Sequence, residues 1–559
     1  MSRTSPSLSD PTAPPAAAAA AWRPTLTAVL LRRLLWVARS LLGLLVLAWS
    51  LLLIAWLTLH WGILPHIQQW REPIEARASK ALGLPVRIGN IEVRSSGWVP
   101  SFELREVTLL DPEQRPALHL PRVFAAISPR SLLSFEPRFA QLLIDGPELD
   151  IRRDAQGRIW IAGLDLGSTE READGGSAAV DWFFKQGEFV IRGGALRWTD
   201  EQRQAAPLAL RDLQLVVRNG LRAHDVRLEA TPPPEWGERF SASGRFSQSL
   251  LARSGDWRRW SGQAHVDLPR ADVRELRRYV TLPFELDEGD GALRGWFDVK
   301  DGRPQAATVD VALRAVSMRL AANVEPLKVE EVEGRLVAQR TKDELTLEAH
   351  QLGFLIEHGT AGDRTRWPRG DMRLVLRQRE DGDAVGGGSF EADKLDVGQM
   401  ARIAASIPLG DALRRLLAEV QPQGTISQLS ARWDGPLDAP QHYAAKAQLS
   451  GVTLASHASE QPGGVGRPGL RNANLQLTAT EAGGQAQLGI QSGAIELPGV
   501  FEDPVLPLAD FAAQVTWKIE PAPVALSRGA IATSGPMAPP KISLQVSDAR
   551  FANADVQGD

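Results

Sequence analysis

Two-residue alternation of apolar and polar side chains runs through almost the whole of this 559-residue chain. The stretch GLPVRIGNIEVRSSGWVPSFELREVTLLD, Gly83 to Asp111, sets the pattern. Val86 and Ile88 alternate with polar neighbours, then Ile91 and Val93, then Phe102 and Leu104. A period of two places every second side chain on one face of a β-strand. Similar pairs recur at Leu118 and Leu120, Leu142 and Ile144, Leu208 and Leu210, and Leu213 and Leu215. Further runs follow at Val309–Val311–Leu313, Leu345–Leu347, Met372–Leu374–Leu376 and Val515–Trp517–Ile519. About 25 short strands follow from this pattern. Each has one apolar and one polar face, and the chain offers few amphipathic helices to cover so much apolar surface.

Helical spacing is confined to a few places. His66 to Gly83 puts Ile67, Trp70, Ile74 and Ala78 near one face, with Pro73 as a kink. DWFFKQG reads as one short helix, RADVRELRRYV (Arg270–Val280) as a second. Leu395 to Val420 reads as a third, interrupted at Pro408. The last two are each followed by a glycine-bearing turn and a return to strands, an irregular long repeat. RRDAQGRIWI predicts a hairpin between Ile151 and Ile159. A chain of this length exceeds one sandwich core, so it grows by adding strands to an extended, curled sheet. The alternation suits a packed dry interior and an open channel equally.

The N-terminus sets the compartment. Residues 1–30 begin as a Pro/Ala/Ser tail, read as disordered. Leu41 to Leu59 carries no charge and at about 1.5 Å per residue spans nearly 30 Å, one bilayer crossing. Residues 31–62 are therefore read as a transmembrane anchor, with Leu41, Leu45, Leu52, Trp56 and Leu59 facing lipid and Trp36, Trp56 and Trp61 at the interfaces. Arg23, Arg32, Arg33 and Arg39 precede the apolar run, and the next Arg or Lys is Arg71. The positive-inside rule then puts the N-terminus in the cytoplasm and the bulk of the chain across the membrane. The long apolar core, with no small-residue cleavage site after it, argues against a signal peptide.

Composition and motifs exclude most chemistry. The net charge of -4 gives no basic field for nucleic acid. The absence of cysteine removes disulfides and thiolate sites. Gly464, Gly466 and Gly469 form a G-x-G-x-x-G with Pro468 inside it and a strand-like run after it, which reads as a loop rather than a nucleotide site. The closest mid-chain histidines, His350 and His358, read as strand residues rather than metal ligands. Glu330, Glu331 and Glu333 read as a solvated strand face rather than a glycosidase pair. No constellation here points to an enzyme, a metal or a cofactor.

The ordered series of segments resembles the AsmA-like inner-membrane proteins. The matching features are the anchor, LGLPVRIG, the SLLS turn and the GPELDIRRDAQG hairpin. GDWRRWSGQAHVDLPRADVRELRRYV, IPLGDALRRLLAEVQPQGTISQLSARW and ELPGVFEDPVLPLADFAAQVTW look like the YhdP branch. The resemblance implies a mainly β fold: one N-terminal transmembrane helix, then an elongated, curled antiparallel β-sheet groove with a few short amphipathic helices. It implies phospholipid conducted between inner and outer membrane through an apolar channel, without catalysis, by a single-pass inner-membrane protein with its bulk in the periplasm. The alternative is a structural scaffold of the envelope with a dry β core.

The implied partners are phospholipid, the inner membrane and an outer-membrane or envelope protein. On this reading the groove is lined by Val86, Ile88, Ile91, Val93, Phe102, Leu104, Leu118, Leu120, Leu142, Ile144, Ile191, Leu208, Leu210, Val311, Leu347 and Leu374. The expected divisions are an N-terminal β segment at 63–165 and central groove segments at 166–395 and 396–559. The last is expected to be truncated, because family members are longer.

Overall fold

The computed structural model describes residues 26–63, 68–82, 85–94, 101–110, 114, 116–128, 131, 138–161, 164–165, 176–249, 252–279, 285–322, 324–357, 364–379, 382–407, 411–436, 440–459, 464–520, 541–552 and 557–558. It forms two compact units, Met1–Trp70 and Arg71–Asp559. The first unit holds helix α1, Leu26–Leu57, which ends in a wider turn, Thr58–Ile63. Its stretch Arg33–Leu51 has a mean hydropathy of 1.9 and is wholly unburied. Leu41, Leu45, Trp36 and Trp61 are exposed and Trp56 is half-buried. Leu52 lies on α1 and Leu59 on the turn beyond it. The helix is long and apolar enough to cross a membrane.

The second unit opens with α2, Arg71–Leu82. Pro73 falls in its first turn, where the missing N–H costs no helical bond, so no kink results. The strands β1 (Val86–Arg94), β2 (Ser101–Leu110), β3 (Pro116–Ile127), β4 (Phe139–Asp145) and β5 (Glu148–Arg153) follow. Short strands β6 (Ile159–Ile161) and β7 (Leu164–Asp165) precede α3, Gly176–Lys185, the expected DWFFKQG helix. Then come β8 (Glu188–Asp200), β9 (Ala205–Asn219), β10 (Ala223–Thr231), β11 (Phe240–Ser247) and β12 (Ser261–Asp272). The helical run at Arg270–Val280 contracts to α4, Val273–Leu276, capped by the Asp272 side chain accepting from Arg274 N.

Long strands continue as β13 (Glu285–Lys300), β14 (Arg303–Arg319), β15 (Leu327–Arg340) and β16 (Glu344–Glu357). They go on through short β17 (Arg364–Arg366), then β18 (Gly370–Arg379), β19 (Gly382–Ala392) and short β20 (Leu395–Asp396). The third helical run resolves into α5, Val397–Arg402, and α6, Asp411–Val420. The final strands are β21 (Gln423–Asp434), β22 (His442–Leu454), β23 (Gly469–Thr480), β24 (Gly483–Glu496), β25 (Val505–Glu520), β26 (Lys541–Ala552) and β27 (Gln557–Gly558).

Among the described residues, all 27 strands belong to one sheet. Pairing is antiparallel except at β8, which follows the α3 crossover and lies parallel to β4 and β5. The sheet is not closed: β1 pairs with β2 alone. On the other edge of β1, Val86 N donates to Ser79 Oγ at 2.9 Å and Ile88 N to Glu75 Oε1 at 2.8 Å. Side chains of α2 thus take the edge N–H groups that a stray strand would otherwise pair with.

Most long strands carry one interior kink. Glu106, Asp212, Ala315, Gln351, Asn472, Ser492 and Asp548 have φ between 50° and 55° or, for Ala315, 48°. Gly193 and Gly451 lie in the same left-handed region. At each kink the alternation slips by one residue. Leu208 and Leu210 give way to Leu213 and Leu215 across Asp212, and Leu345 and Leu347 to Leu352 and Phe354 across Gln351. An extra residue at a bulge lets the apolar set stay on one face while the strand bends. The buried clusters lie along these kinks. One joins Leu313, Val316, Val329, Ile356, Trp367 and Ile403 to Val273 of α4. Another joins Val452, Ala473, Ile490 and Leu508. Each draws its sheet residues from strands adjacent in the ladder.

Candidate functional site

Cross-strand register turns the alternation into two continuous rows. The first begins Val93, Phe102, Ala125, Leu142, Phe189, Val217, Val226. It continues Gly244, Ala264, Phe297, Ala307, Ala338, Leu347, Leu374. It ends Phe390, Ala431, Ala445, Ala479, Gly484, Trp517, Leu544. The second row runs beside it from Ile91 through Leu104, Val123, Ile144, Ile191 and Leu215. Farther along it passes Val309, Leu336, Ala349, Met372 and Ala392 and reaches Val515 and Val546. No member of either row is polar. At about 4.8 Å per strand, the path across the sheet is roughly 100 Å.

The next row over belongs to the opposite face and is polar from β16 to β24. Glu348, Arg373, Glu391, Ser430, Lys446, Thr478 and Gln485 stand in register. So do Gln428, Gln448, Gln476 and Gln487. These side chains line a hollow of about 840 Å³ over the polar face. The polar face is also where most of the ion pairs lie, such as Arg335 with Asp310 at 2.6 Å and Arg245 with Asp225 at 2.6 Å.

The covering of the apolar wall changes along its length. In β1 to β9 the wall is packed in part: Ile91 is 1 % exposed, and Val86, Ile88, Leu120, Leu142, Ile144, Ile191 and Leu210 are also buried. Part of the cover is aromatic and comes from α3. Phe183 meets Phe189 edge-on at 4.6 Å, and Phe184 meets Trp260 at 4.8 Å, with His224 stacked on Trp260 at 4.0 Å. Burial lowers the His224 pKa, so this ring is neutral. Farther along, Val316, Val329, Ala473 and Ile490 are buried as deeply, and between these packed positions the wall is partly open. Val311 and Leu374 are half-buried, and Leu336 and Leu347 are each 38 % exposed. Val93, Phe102, Leu104, Leu118 and Leu208 are half-buried. The sixteen lining residues expected from sequence therefore divide equally into a packed group and a partly open group.

Two glycines smooth the open part of the wall. A Cβ at Gly388 would sit 2.5 Å from the Trp433 ring, and one at Gly484 would collide with the Trp517 ring. Each indole lies flat over the glycine of a neighbouring strand, filling the gap without projecting. This gives part of the tryptophan content a role that alternation alone did not disclose.

The remaining sequence features are structural. Glu330 pairs with Arg364 at 2.9 Å and Glu333 with Arg369 at 2.5 Å, so the acidic run is an ion-paired strand face. His350 lies 3.1 Å from Glu348 and 3.5 Å from Asp371; His358 lies outside the described residues. Gly464–Gly469 leads into β23 rather than a helix, so it forms no dinucleotide-binding turn. The GPELDIRRDAQG hairpin turns on Asp154, which accepts from Gln156 N, Arg158 N, Arg158 Nε and Trp160 Nε1. Burial pushes its carboxyl up, and these hydrogen bonds outweigh that, bringing it to about 2.

A membrane-length helix followed by one open sheet, continuously apolar on one face and polar over much of the other, defines a class of helix-bearing single-sheet proteins. Within that class, the family model described as YhdP protein matches residues 25–547, and the chain belongs to the YhdP family. No curated protein and no solved structure matches it.

Proposed function

We propose that this protein is anchored in the inner membrane by α1 and conducts phospholipid toward the outer membrane along its apolar wall, without catalysis. The observation that carries this reading is the pair of unbroken apolar rows, left partly open at positions such as Phe102, Leu104, Leu336 and Leu347. Moving an acyl chain through water exposes about 0.8 kcal/mol per methylene, roughly 10 kcal/mol for a whole chain. A wall offering apolar contact at every strand lowers that barrier with no reacting group. Family membership supports a role in envelope lipid transport. On this reading Val93, Phe102, Leu104, Leu118, Leu208, Val311, Leu347 and Leu374 contact lipid. The packed positions, Ile91 and Ile191 early in the sheet and Val316, Val329 and Ile490 later, favour a second reading, a scaffold with a dry core.

Photo-cross-linking tests both. A cross-linker placed at Leu336, Leu347 or Leu374 captures phospholipid, and one at Glu348 or Arg373 on the polar face does not. Lipid capture that is equal on the two faces, or absent from both, removes the conduit reading. An alkaline phosphatase reporter fused after residue 100 is active if the anchor is oriented as proposed.

A further inference from the structure

Three connections on one rim of the sheet stand side by side. These are Gly220–Arg222 between β9 and β10, the loop from Gln248 to Trp260 between β11 and β12, and Asp301–Gly302 between β13 and β14. They are bonded together. Gln248 N donates to Arg222 O at 2.9 Å, Gly302 N donates to Trp260 O at 2.9 Å, and Asp301 N donates to Ser261 Oγ at 3.1 Å. The backbone of Arg258 also packs directly on Gly302. The described parts of these connections, with their flanking Lys300 and Arg303, carry six cations: Arg222, Arg253, Arg258, Arg259, Lys300 and Arg303. Three carboxylates oppose them, Asp256 and Asp301 of the connections and Asp181 of α3, whose Oδ1 accepts from Gly255 N at 2.8 Å, in a chain whose net charge is -4. Asp256 is already paired with Arg259 at 3.1 Å.

Two large apolar side chains project from the same rim. Leu221 is 84 % exposed and Trp257 is 53 % exposed, with the Arg258 guanidinium 5.5 Å from the indole centroid. Leu221 is the most exposed large apolar side chain among the described residues. A tryptophan and a leucine among arginines match the interface of an anionic bilayer, where the ring sits at headgroup depth and the guanidinium groups meet phosphate.

We propose that this rim is a docking surface for an anionic phospholipid bilayer. Charge complementarity selects the occupant, and the exposed indole and leucine add apolar insertion that a purely ionic partner would not need. The proposal is independent of the conduit reading, because it concerns loop tips and not the wall.

The full chain is held through α1 in discs of phosphatidylcholine and offered vesicles of phosphatidylglycerol and phosphatidylcholine. Removing Arg258, Lys300 and Arg303 together as alanines weakens capture by about fivefold per cation, on the order of a hundredfold in all. Trp257→Ser weakens it by about tenfold, and raising the salt weakens wild type. A control triple of Lys328→Ala, Lys394→Ala and Arg432→Ala removes the same charge elsewhere and leaves capture intact. All replaced side chains are exposed, so circular dichroism stays unchanged. Capture that survives the rim triple and Trp257→Ser overturns the proposal, as does equal loss in the control triple. Failure of wild type to capture the vesicles also overturns it and assigns the rim to an acidic protein surface.

Discussion

Placing one charge in the open wall and the same charge in the packed wall separates the two parts of the sheet. Leu347 is 38 % exposed and Ile91 is 1 % exposed, yet both belong to the continuous apolar rows. Full burial of a leucine contributes roughly 1.5–3 kcal/mol, so Leu347 keeps about three fifths of that, some 1–2 kcal/mol. In Leu347→Glu the carboxylate reaches water beside the wall and adds little desolvation cost. In Ile91→Glu the whole transfer gain is lost. An ionised carboxylate is also left without a partner, at several kcal/mol more. The total is on the order of the stability of a domain. Because a long sheet unfolds locally, hydrogen exchange resolved to β1–β3 and to β15–β18 is the suitable assay. Leu347→Glu leaves protection in β15–β18 within about tenfold of wild type while abolishing lipid cross-linking at Leu374. Ile91→Glu removes protection throughout β1–β3. Equal loss of protection in the two variants would show that the wall at β16 is packed as tightly as at β1, and the argument from exposure would fall.

Three further outcomes follow from other parts of the fold. Ala315, at φ 48°, holds a left-handed conformation that costs a non-glycine residue about 1 kcal/mol, so Ala315→Gly stabilises β14 by about 0.5–1 kcal/mol and Ala315→Val destabilises it, read by local exchange. Asp154 titrates near 2 in the folded hairpin against 3.8 when free. Its contribution is therefore complete above about pH 4 and lost as the pH falls toward 2. Trp160 fluorescence follows that loss, and Asp154→Asn abolishes the acid transition. Glu75→Ala with Ser79→Ala exposes the N–H groups of Val86 and Ile88 on the free edge of β1, and light scattering then reports edge-to-edge association. A monodisperse double variant would show that α2 has no protective role.

The strands were legible because period-two alternation survives any tertiary context that leaves one face apolar. The single open sheet follows from that signal and the shortage of helices. What alternation concealed was the continuity of each strand. Leu210 to Leu213 reads as a break between two short strands, but Asp212 takes the left-handed conformation and β9 runs on to Asn219. The signal was present: a three-residue gap between apolar pairs, bridged by a residue tolerant of positive φ. Gln351 and Ala315 carry no such composition mark, so their kinks follow from packing alone. The helices shortened for the opposite reason. RADVRELRRYV has helical spacing throughout, but Arg270–Asp272 belongs to β12, and only Val273 onward turns helical, under the Asp272 cap.

For the site, sequence placed the sixteen lining residues on strands with apolar faces but could not say which were covered. Alternation reports that a side chain avoids water, and acyl chains, aromatic helices and neighbouring strands satisfy that demand equally. Ile191 and Leu347 have the same local pattern. The difference lies in the helix just before β8, whose Phe183 and Phe184 pack on Phe189 and His224 around β8 and β10. The glycine–tryptophan contacts are non-local, since Gly388 acquires meaning only when register brings Trp433 beside it. A sheet whose own residues close one stretch of apolar wall and leave another half open is therefore best dissected by where cover is missing. The half-open positions, such as Leu336 and Leu347, are where added lipid should displace water first, and the buried ones, such as Ile91 and Val316, are where it should find no purchase.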